Sequence, residues 1–577
     1  MPRKLLLGLA LVAAVVAAYL PALEAGFVWN DDSYLTENPA LDSLEGLKLV
    51  WTEPKASEQY YPMVFTTFWI EKRLWSLHPF GYHLVNVLLH AGSALLLWRL
   101  LGWLRLPGAF MAAALFALHP MCVESVAWVT ERKNALSLLL SLLSLHAYLG
   151  WLEARTAARE PKKKRKSRPE TPLHRRPAAL YAAAIAAFTL ALLTKTTASV
   201  VPAVLLVLIW WQKGRLEGAD VRPLVPFLAI GAALALHTAW LERTMVQASG
   251  AEWGLSLPGR VALAGKVVAF YAGKFFLPAD LAFMYPRWEI DPRLFGQWLP
   301  AIGALLALAA AWALRHRIGR GPLAALLLFG GVLFPAMGFF NVYAMRYSWV
   351  ADHFAYQAVA VAAAGAFCGI ASLVPEGRAA PRRAAGALAL LVLAILGVMT
   401  FRQSRAYRDP ETLWRDTLEK NPACFMCETN YGHWLAGRGR VPEAMAHFET
   451  SLRIRPDNVP TLLNLSQIEE QRGRPAEAAE RLRAALLIDP KETVALVNLA
   501  TLDAKAGRLE EARAGFAEAL RIGSPDDYLA HNGLGVVLLR QGKIAEASDH
   551  FREALHLRPD FAPARKNLER VAAAVQP

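Results

Sequence analysis

Long apolar stretches alternate with short polar ones over roughly the first four hundred residues. Runs close to the ~20 residues that a bilayer's hydrocarbon core demands of a helix recur at about 5–23, 83–104, 109–127, 134–152, 177–194, 197–212, 223–240, 299–314, 321–340, 354–374 and 384–400. Each predicts a membrane span. A twelfth run, 261–277, carries Lys266 and Lys274, which are costly against lipid. It reads as re-entrant or interfacial. The first run, in MPRKLLLGLALVAAVVAAYLPALEAGF, has the basic start and small residues of a cleaved signal peptide, but its apolar part exceeds the usual ~7–15 residues. Retention as a first span is expected.

After about residue 409 the pattern changes to paired amphipathic helices with a period of ~34 residues, the tetratricopeptide spacing. Gly439, Gly473, Gly507 and Gly542 fall 34, 34 and 35 residues apart, each opening a G-[RK]-x-x-E-A turn into a second helix. Ala444, Ala478, Ala512 and Ala547 follow where the two helices of a unit cross, and Pro456, Pro490, Pro525 and Pro559 close the units. The half-unit DPETLWRDTLEKNP precedes them. Asn430, Asn464, Asn498 and Asn532 recur every 34 residues on the first helices, so stacking aligns them along the concave groove. A carboxamide donates and accepts as a peptide amide does, which suits an acceptor peptide. The same Asn also occurs simply as part of the repeat pattern, and both readings stand.

The fold class expected is therefore all-α. A polytopic membrane bundle of about eleven spans plus a re-entrant segment occupies 1–400, with a first outer loop at 24–82. A linker and half repeat follow at 401–427, then four repeats with a C-terminal cap at 428–577.

Composition agrees, with 55% hydrophobic residues, positive mean hydropathy and 18 Trp, as suits a chain that meets membrane interfaces repeatedly. The net charge of +14 resembles a nucleic-acid footprint until it is located. Residues 401–577 carry 25 basic and 25 acidic side chains, so the whole excess lies in the apolar part, where it orients helices. Nucleic-acid binding is excluded on that footing. Ten basic residues lie between Arg155 and Arg176, including the tract PKKKRKSRPE. That loop belongs inside, which places the N terminus in the cytoplasm and, after an odd number of crossings, the repeats in a bacterial periplasm or an equivalent lumen. Four cysteines exclude a multi-disulfide scaffold. Cys424-x-x-Cys427 is read as one helical turn ahead of a redox pair. No His/Cys/Asp/Glu cluster at ligand spacing appears, so neither metal nor cofactor is expected.

With that topology, ionisable residues gather at the outer face. Asp31, Asp32 and Glu37 lie in the first loop; His119, Glu124, Arg132 and Lys133 lie in HPMCVESVAWVTERKN; Lys195 lies in LLTKTTASVVP; Tyr285 and Arg287 lie in FMYPRW; Arg346, Asp352, His353 and Tyr356 lie in AMRYSWVADHFAY. Singly, each reads as a cap or interfacial anchor. Together they suit transfer from a phosphate-activated lipid, with carboxylates to deprotonate an acceptor and cations to hold the leaving phosphate.

The stretches NDDSYLTENPAL, HPFGYHLVNVLLH, ALFALHPMCVESVAWVTERKNALS, LLTKTTASVVP, LPADLAFMYP and WVADHFAY, in that order and followed by the repeats, resemble bacterial relatives of the transmembrane and tetratricopeptide repeat O-mannosyltransferases, in the class C glycosyltransferase superfamily. The resemblance implies a polyprenyl-phosphate-linked sugar as donor, a hydroxyl of a secreted protein as acceptor, and inversion at the sugar carbon. It also implies that the first outer loop supplies the catalytic acid residue, here Asp31 or Asp32. The pattern leads one to expect Asp after ERK and Arg after the later AD, where this chain has Asn134 and His353.

Two adjacent carboxylates repel, so one is expected to keep a raised pKa while the other accepts a proton from a Ser or Thr hydroxyl; Asp32 is narrowly preferred as the base. Lys195, Arg132, Lys133 and Arg346 are the candidate phosphate ligands. A competing reading makes Asn30 and Asp31 turn formers and caps. Sugar transfer to a bacterial lipid or polysaccharide, and a non-catalytic membrane-anchored repeat scaffold, are the alternative functions.

Overall fold

The computed structural model describes residues 2–54, 59–159, 176–244, 253–374, 379–524 and 526–575. The lysine-rich tract, Arg378 and Pro525 lie outside them. The chain forms two compact units, Met1–Pro422 and Ala423–Pro577, and every regular element among the described residues is a helix.

The first unit begins with α1 (Pro2–Ala18), followed by α2 (Leu44–Thr52), α3 (Pro62–Trp75), α4 (Pro79–Trp103), α5 (Ala109–Ala117), α6 (Val123–Ala127), α7 (Arg132–Arg159) and α8 (Pro177–Thr194). It continues through α9 (Val201–Lys213), α10 (Val225–Thr244), α11 (Leu257–Phe276), α12 (Leu299–Leu314), α13 (Gly321–Leu333), α14 (Tyr356–Leu373), α15 (Ala379–Ser404) and α16 (Pro410–Lys420). Several start with proline in the first turn, as in α3, α4 and α8, where its missing N–H has no intrahelical acceptor to lose.

Eight helices among the described residues are long and apolar enough to cross a bilayer, and Ala109–Ala117 with Pro120–Ala127, bent by 55°, makes a ninth if the pair is one span. Two of the eleven apolar runs form helices that fall short. α1 stops after 17 residues and resumes as Leu20–Leu23, so its ~1.5 Å per residue does not reach the ~30 Å of hydrocarbon alone. α13 ends at Leu333, just before Pro335. The segment read as re-entrant is one unbroken helix, α11, of 20 residues. The sharp bend falls instead in run 109–127, where Pro120 follows His119.

The first long loop is folded. Tyr34, Leu35, Leu41, Val50, Val64, Phe65, Phe68, Tyr82 and Val129 form a buried cluster, each large side chain contributing about 1.5–3 kcal/mol on burial. This core fixes α2 and α3 against the start of α4. The half-unit ahead of the repeats packs in the same unit: Trp414 of α16 lies 5.0 Å from the Trp29 ring and 5.7 Å from Phe283. Lys420 and Asn421 donate to the carbonyls of Leu281 and Met284.

The second unit holds four helix pairs, α17 (Phe425–Ala436) with α18 (Val441–Ile454), α19 (Val459–Gln471) with α20 (Pro475–Ile488), α21 (Thr493–Lys505) with α22 (Leu509–Ile522), and α23 (Asp527–Arg540) with α24 (Ile544–Leu557), closed by α25 (Ala562–Val575). The four periodic glycines adopt φ of 75°, 74°, 80° and 79°, a left-handed turn that a side chain disfavours. Ala444, Ala478, Ala512 and Ala547 are fully buried, since only a methyl fits between crossing helices. Cys424 and Cys427 are joined as a disulfide across the first turn of α17, so the two cysteines both start a helix and form a pair.

Candidate active site

The sequence HPMCVESVAWVTERKN folds as short turns because Pro120 and the Trp128 backbone interrupt the helix: Pro120–Cys122 and Val129–Glu131 are 3-10 turns flanking α6. Tight turns put Glu124, Glu131, Lys133 and Asn134 within reach of one another. Glu131 Oε1 accepts from Lys133 Nζ at 2.8 Å, and Oε2 accepts from Asn134 Nδ2 at 2.5 Å. Lys195, between α8 and α9, donates to Asn134 Oδ1 at 2.7 Å and lies 3.7 Å from Glu131.

From more than two hundred residues further along the first unit, the His353 backbone N–H donates to Glu124 Oε2 at 2.8 Å. Its Nδ1 is 2.9 Å from Glu124 Oε1 without hydrogen-bond alignment, and its Nε2 is 3.9 Å from Glu131. Two carboxylates, two ammonium groups and an imidazole thus form one cluster, with Lys195 and His353 its most accessible members, at 12% and 11% side-chain exposure. Tyr34, Tyr61 and Trp128 surround Lys133 Nζ at 5.6–5.7 Å from the ring centroids, within cation–π range.

The first loop reaches this cluster through Asp31 and Tyr34. Asp31 is buried; Oδ1 accepts from the backbone N–H of Thr130 at 2.9 Å and from its hydroxyl at 2.5 Å, and Oδ2 accepts from Val28 N–H. Burial pushes this carboxyl up to about 7, and the hydrogen bonds from Thr130 and Val28 oppose that without cancelling it; the Asp32 charge is the smallest contributor. The raised value therefore comes mainly from desolvation, not from the neighbouring carboxylate. Asp31 also shapes the turn, its N–H donating to Val28 O. Asp32 is exposed, begins the five-residue turn Asp32–Thr36, and accepts from Thr36 Oγ1 at 3.1 Å. The same turn carries Tyr34, so Asp32 stands on the segment that packs on Lys133. Trp29, two residues before Asp31, is held at φ 53°, unusual for a bulky residue, with its ring against Phe283 and Trp414.

Other candidates lie elsewhere. Arg132 is fully buried and points into the scaffold. Its Nε donates to Asn86 Oδ1, Nη1 to Thr67 Oγ1 and Glu71, and Nη2 to Tyr82 O. Every guanidinium nitrogen is engaged, which removes Arg132 from the phosphate-binding candidates. His119 is buried, stacked on Phe275, with Nε2 on the Phe275 carbonyl. Tyr285 donates to Asp352 Oδ1 at 2.8 Å. Burial first, and then the Asp352 charge, hold the Tyr285 hydroxyl far above its ordinary range, so it stays protonated. Arg287 donates from Nε to Met345 O and lies 4.6 Å over Trp349, and Arg346 is half-buried on the turn Tyr343–Arg346. Tyr356 donates to or accepts from His90 Nδ1 at 2.7 Å.

Along the repeats, Asn430 and Asn464 each donate to the carbonyl one turn back, Asn464 Oδ1 meets His433, Asn532 Oδ1 accepts from Asn567, and Asn498 is half-buried. Part of each amide's capacity, at three of the four positions, therefore serves the array itself. Reading the sequence missed Glu131 and Asn134 as cluster members and Tyr34, Tyr61 and Trp128 as its wall. The E-x-x-N spacing from Glu131 to Asn134 puts both on one helical face, and that signal was available.

The membrane helices and the paired repeats define an all-helical integral membrane protein with a tetratricopeptide array. Tetratricopeptide repeat family models match residues 435–493 and 492–560. Among solved structures, the array is similar to Pseudomonas aeruginosa pilF, at 22% identity and a TM-score of 0.26 over 27% of this chain and 69% of that one. It is likewise similar to the tetratricopeptide protein YrrB, at 20% identity and a TM-score of 0.25 over 31% and 91%.

The chain is similar to the transmembrane and tetratricopeptide repeat O-mannosyltransferases, the family its motifs resemble. It is 33% identical over 184 residues to protein O-mannosyl-transferase Tmtc3 of Drosophila melanogaster, covering 26% of this chain and 19% of that one. It is 28% identical over 151 residues to F38B6.6 of Caenorhabditis elegans, covering 24% and 22%, and 30% identical over 155 residues to human TMTC3, covering 25% and 17%. The matches span about a fifth of the length of these curated relatives.

Proposed function

We propose that the protein is a membrane glycosyltransferase that moves a sugar, mannose or another hexose, from a polyprenyl-phosphate donor to a Ser or Thr hydroxyl of a secreted or envelope protein. Asp32 accepts the hydroxyl proton as the acceptor oxygen attacks the anomeric carbon. The bond from that carbon to the phosphate oxygen breaks, the sugar inverts, and polyprenyl phosphate leaves. Lys195, held by Asn134 and Glu131, stabilises the charge growing on the leaving oxygen. Glu131 fixes Lys133 at the wall of the same cluster. The repeats bind the acceptor, which raises its concentration at the site. The N terminus is cytoplasmic, and Asp32 and the repeats share the outer face of a bacterial inner membrane.

The observation that carries this reading is the junction of an exposed carboxylate with a cation cluster: Asp32 sits on the turn whose Tyr34 ring packs 5.6 Å from Lys133 Nζ. Names of the relatives support it. The test is sugar transfer in membranes supplied with polyprenyl-phosphate sugar. Asp32→Asn should lower the rate about 10²–10⁴-fold while leaving the fold intact, because Asp32 is exposed. An unchanged rate would overturn the assignment. Reporter fusions that put residue 32 and residue 500 on opposite faces of the membrane would overturn the topology.

A further inference from the structure

The buried carboxylates around Lys133 are committed to the protein itself. Glu131 accepts from Lys133 and Asn134, Glu124 from the His353 N–H, and Asp31 from Thr130 and Val28. Glu242 is different. It lies half-buried in the last turn of α10. Among the described residues it forms no salt bridge, and its one hydrogen bond comes from the Tyr343 N–H at 3.4 Å, beyond the about 2.7–3.2 Å of an ordinary N–H···O bond.

Contacts from two sides bring this carboxylate to the cluster. His237, five residues earlier on α10, sets its ring 5.5 Å from the Tyr60 ring in the first loop. That anchors the end of α10 beside Tyr61, whose ring lies 5.6 Å from Lys133 Nζ. The Lys133 ammonium is within electrostatic reach of Glu242, and Glu242 of the Tyr61 hydroxyl. On the other side, Arg260 donates to the Gly338 and Phe339 carbonyls and to Asn341 Oδ1, and the Trp253 indole donates to Val342 O at 3.1 Å. The backbone that meets Glu242 at Tyr343 is therefore fixed.

A half-buried carboxylate with no cation in contact has given up water without full replacement, and its oxygens only accept hydrogen bonds. An uncharged group rich in donors completes it. A phosphate would be repelled there, whereas adjacent hydroxyls of a hexose can reach both oxygens of one carboxylate. Tyr61, within reach of both Lys133 and Glu242, offers a ring against which the C–H face of a sugar packs. Glu131 ties Lys195 to Lys133, so a sugar whose phosphate oxygen meets Lys195 lies one bond from this wall.

We infer that Glu242 is a sugar-binding residue, whose carboxylate accepts hydrogen bonds from adjacent hydroxyls of the donor hexose and selects the sugar while Asp32 handles the proton. The inference rests on the glycosyltransferase reading and extends it to a residue of a separate helix.

The test titrates the full chain in detergent with farnesyl phosphate and with farnesyl phosphate carrying mannose or glucose, read by intrinsic tryptophan fluorescence. The wild-type chain should bind the better of the two sugar lipids about 10–100-fold more tightly than bare farnesyl phosphate. Glu242→Ala should lose that preference yet bind farnesyl phosphate as the wild type does, which also shows that the variant is folded. Glu242→Gln, with one accepting oxygen, should fall between. Across a series of monodeoxy sugars, at least one missing hydroxyl should weaken binding to the wild type and leave Glu242→Ala unaffected. An equal sugar preference in wild type and Glu242→Ala overturns the inference and leaves the glycosyltransferase reading standing. So does a wild-type chain that binds farnesyl phosphate without preferring either sugar, or a Glu242→Ala chain that loses all three lipids alike. A wild-type chain that binds none of the lipids brings down that reading and this inference with it.

Discussion

In the repeat unit, residues that meet are near in sequence and recur: Gly439, Ala444 and their counterparts perform the same task every 34 or 35 positions. Around Glu131, groups that meet come from residues 31, 124, 133, 195 and 353 and occur once. Charges differ as well. The repeats pair theirs mostly at the surface, as Lys505 does with Glu470, whereas the first unit buries Arg132 and Glu71 together. A periodic solenoid adds its stability unit by unit from nearest neighbours. A site built from distant segments depends on a few desolvated groups, each of which strands another if removed.

The sharpest way to test that contrast is to break the buried pair. Arg132→Met should cost about 3–5 kcal/mol, because Glu71 would keep its burial without its partner, and thermal unfolding in detergent reads the loss. Adding Glu71→Leu should restore much of it. A smaller effect is expected at the disulfide that opens the repeat unit. Cys424 and Cys427 occupy the cap and first-turn positions that Asn458 and Thr461 occupy in the next unit, where Asn458 Nδ2 donates to Thr461 Oγ1 at 2.7 Å. Replacing both cysteines with Ser should lower local stability by about 2 kcal/mol for so short a closed loop. Cys424→Asn with Cys427→Thr, which copies the neighbouring cap, should lose less. Hydrogen exchange of the α17 amides measures both.

The same contrast explains what the sequence could reveal. A 34-residue repeat announces itself because the identical packing problem is solved four times, and the glycine turns and buried alanines lie where the spacing puts them. Apolar runs were legible for the same reason: lipid imposes one composition on every span. The interruption at Pro120, and the short helices at Ala18 and Leu333, were not evident from hydropathy, which measures composition and not continuity. Arg132 and Lys133 are neighbours in ERKN, yet one points into the scaffold and the other to the cluster. The change from the 3-10 turn Val129–Glu131 into α7 decides which, and no count of charges contains it. Asp31 and Asp32 differ in the same way. Only tertiary packing against Thr130 makes one a buried acceptor and leaves the other exposed.

That pair also supplies a pH signature. The Asp31 carboxyl rises from 3.8 to about 7 on folding, chiefly through burial, so the fold binds its proton more tightly than the unfolded chain does. Stability from this group is complete below pH 4 and lost as pH rises through about 7, with a slope of at most about 1.4 kcal/mol per pH unit. Unfolding temperature followed from pH 4 to 8, as the difference between the wild-type chain and Asp31→Asn, isolates what this carboxyl contributes. A flat difference would mean that the hydrogen bonds to Thr130 and Val28 hold the carboxylate ionised throughout.

The least effect is expected at the surface of the repeats. Lys505 Nζ lies 2.6 Å from Glu470 Oε1, joining the first helices of two successive units, but the side chains are 64% and 37% exposed. Water solvates both charges as well apart as together, and holding a long lysine chain in one geometry costs rotamer freedom. Lys505→Ala should therefore change the unfolding free energy by no more than about 0.5 kcal/mol, and added salt should not alter that. A loss as large as that of Arg132→Met would show that the units are coupled through charge, and the distinction between a repeated fold and a singular site would have to be drawn elsewhere.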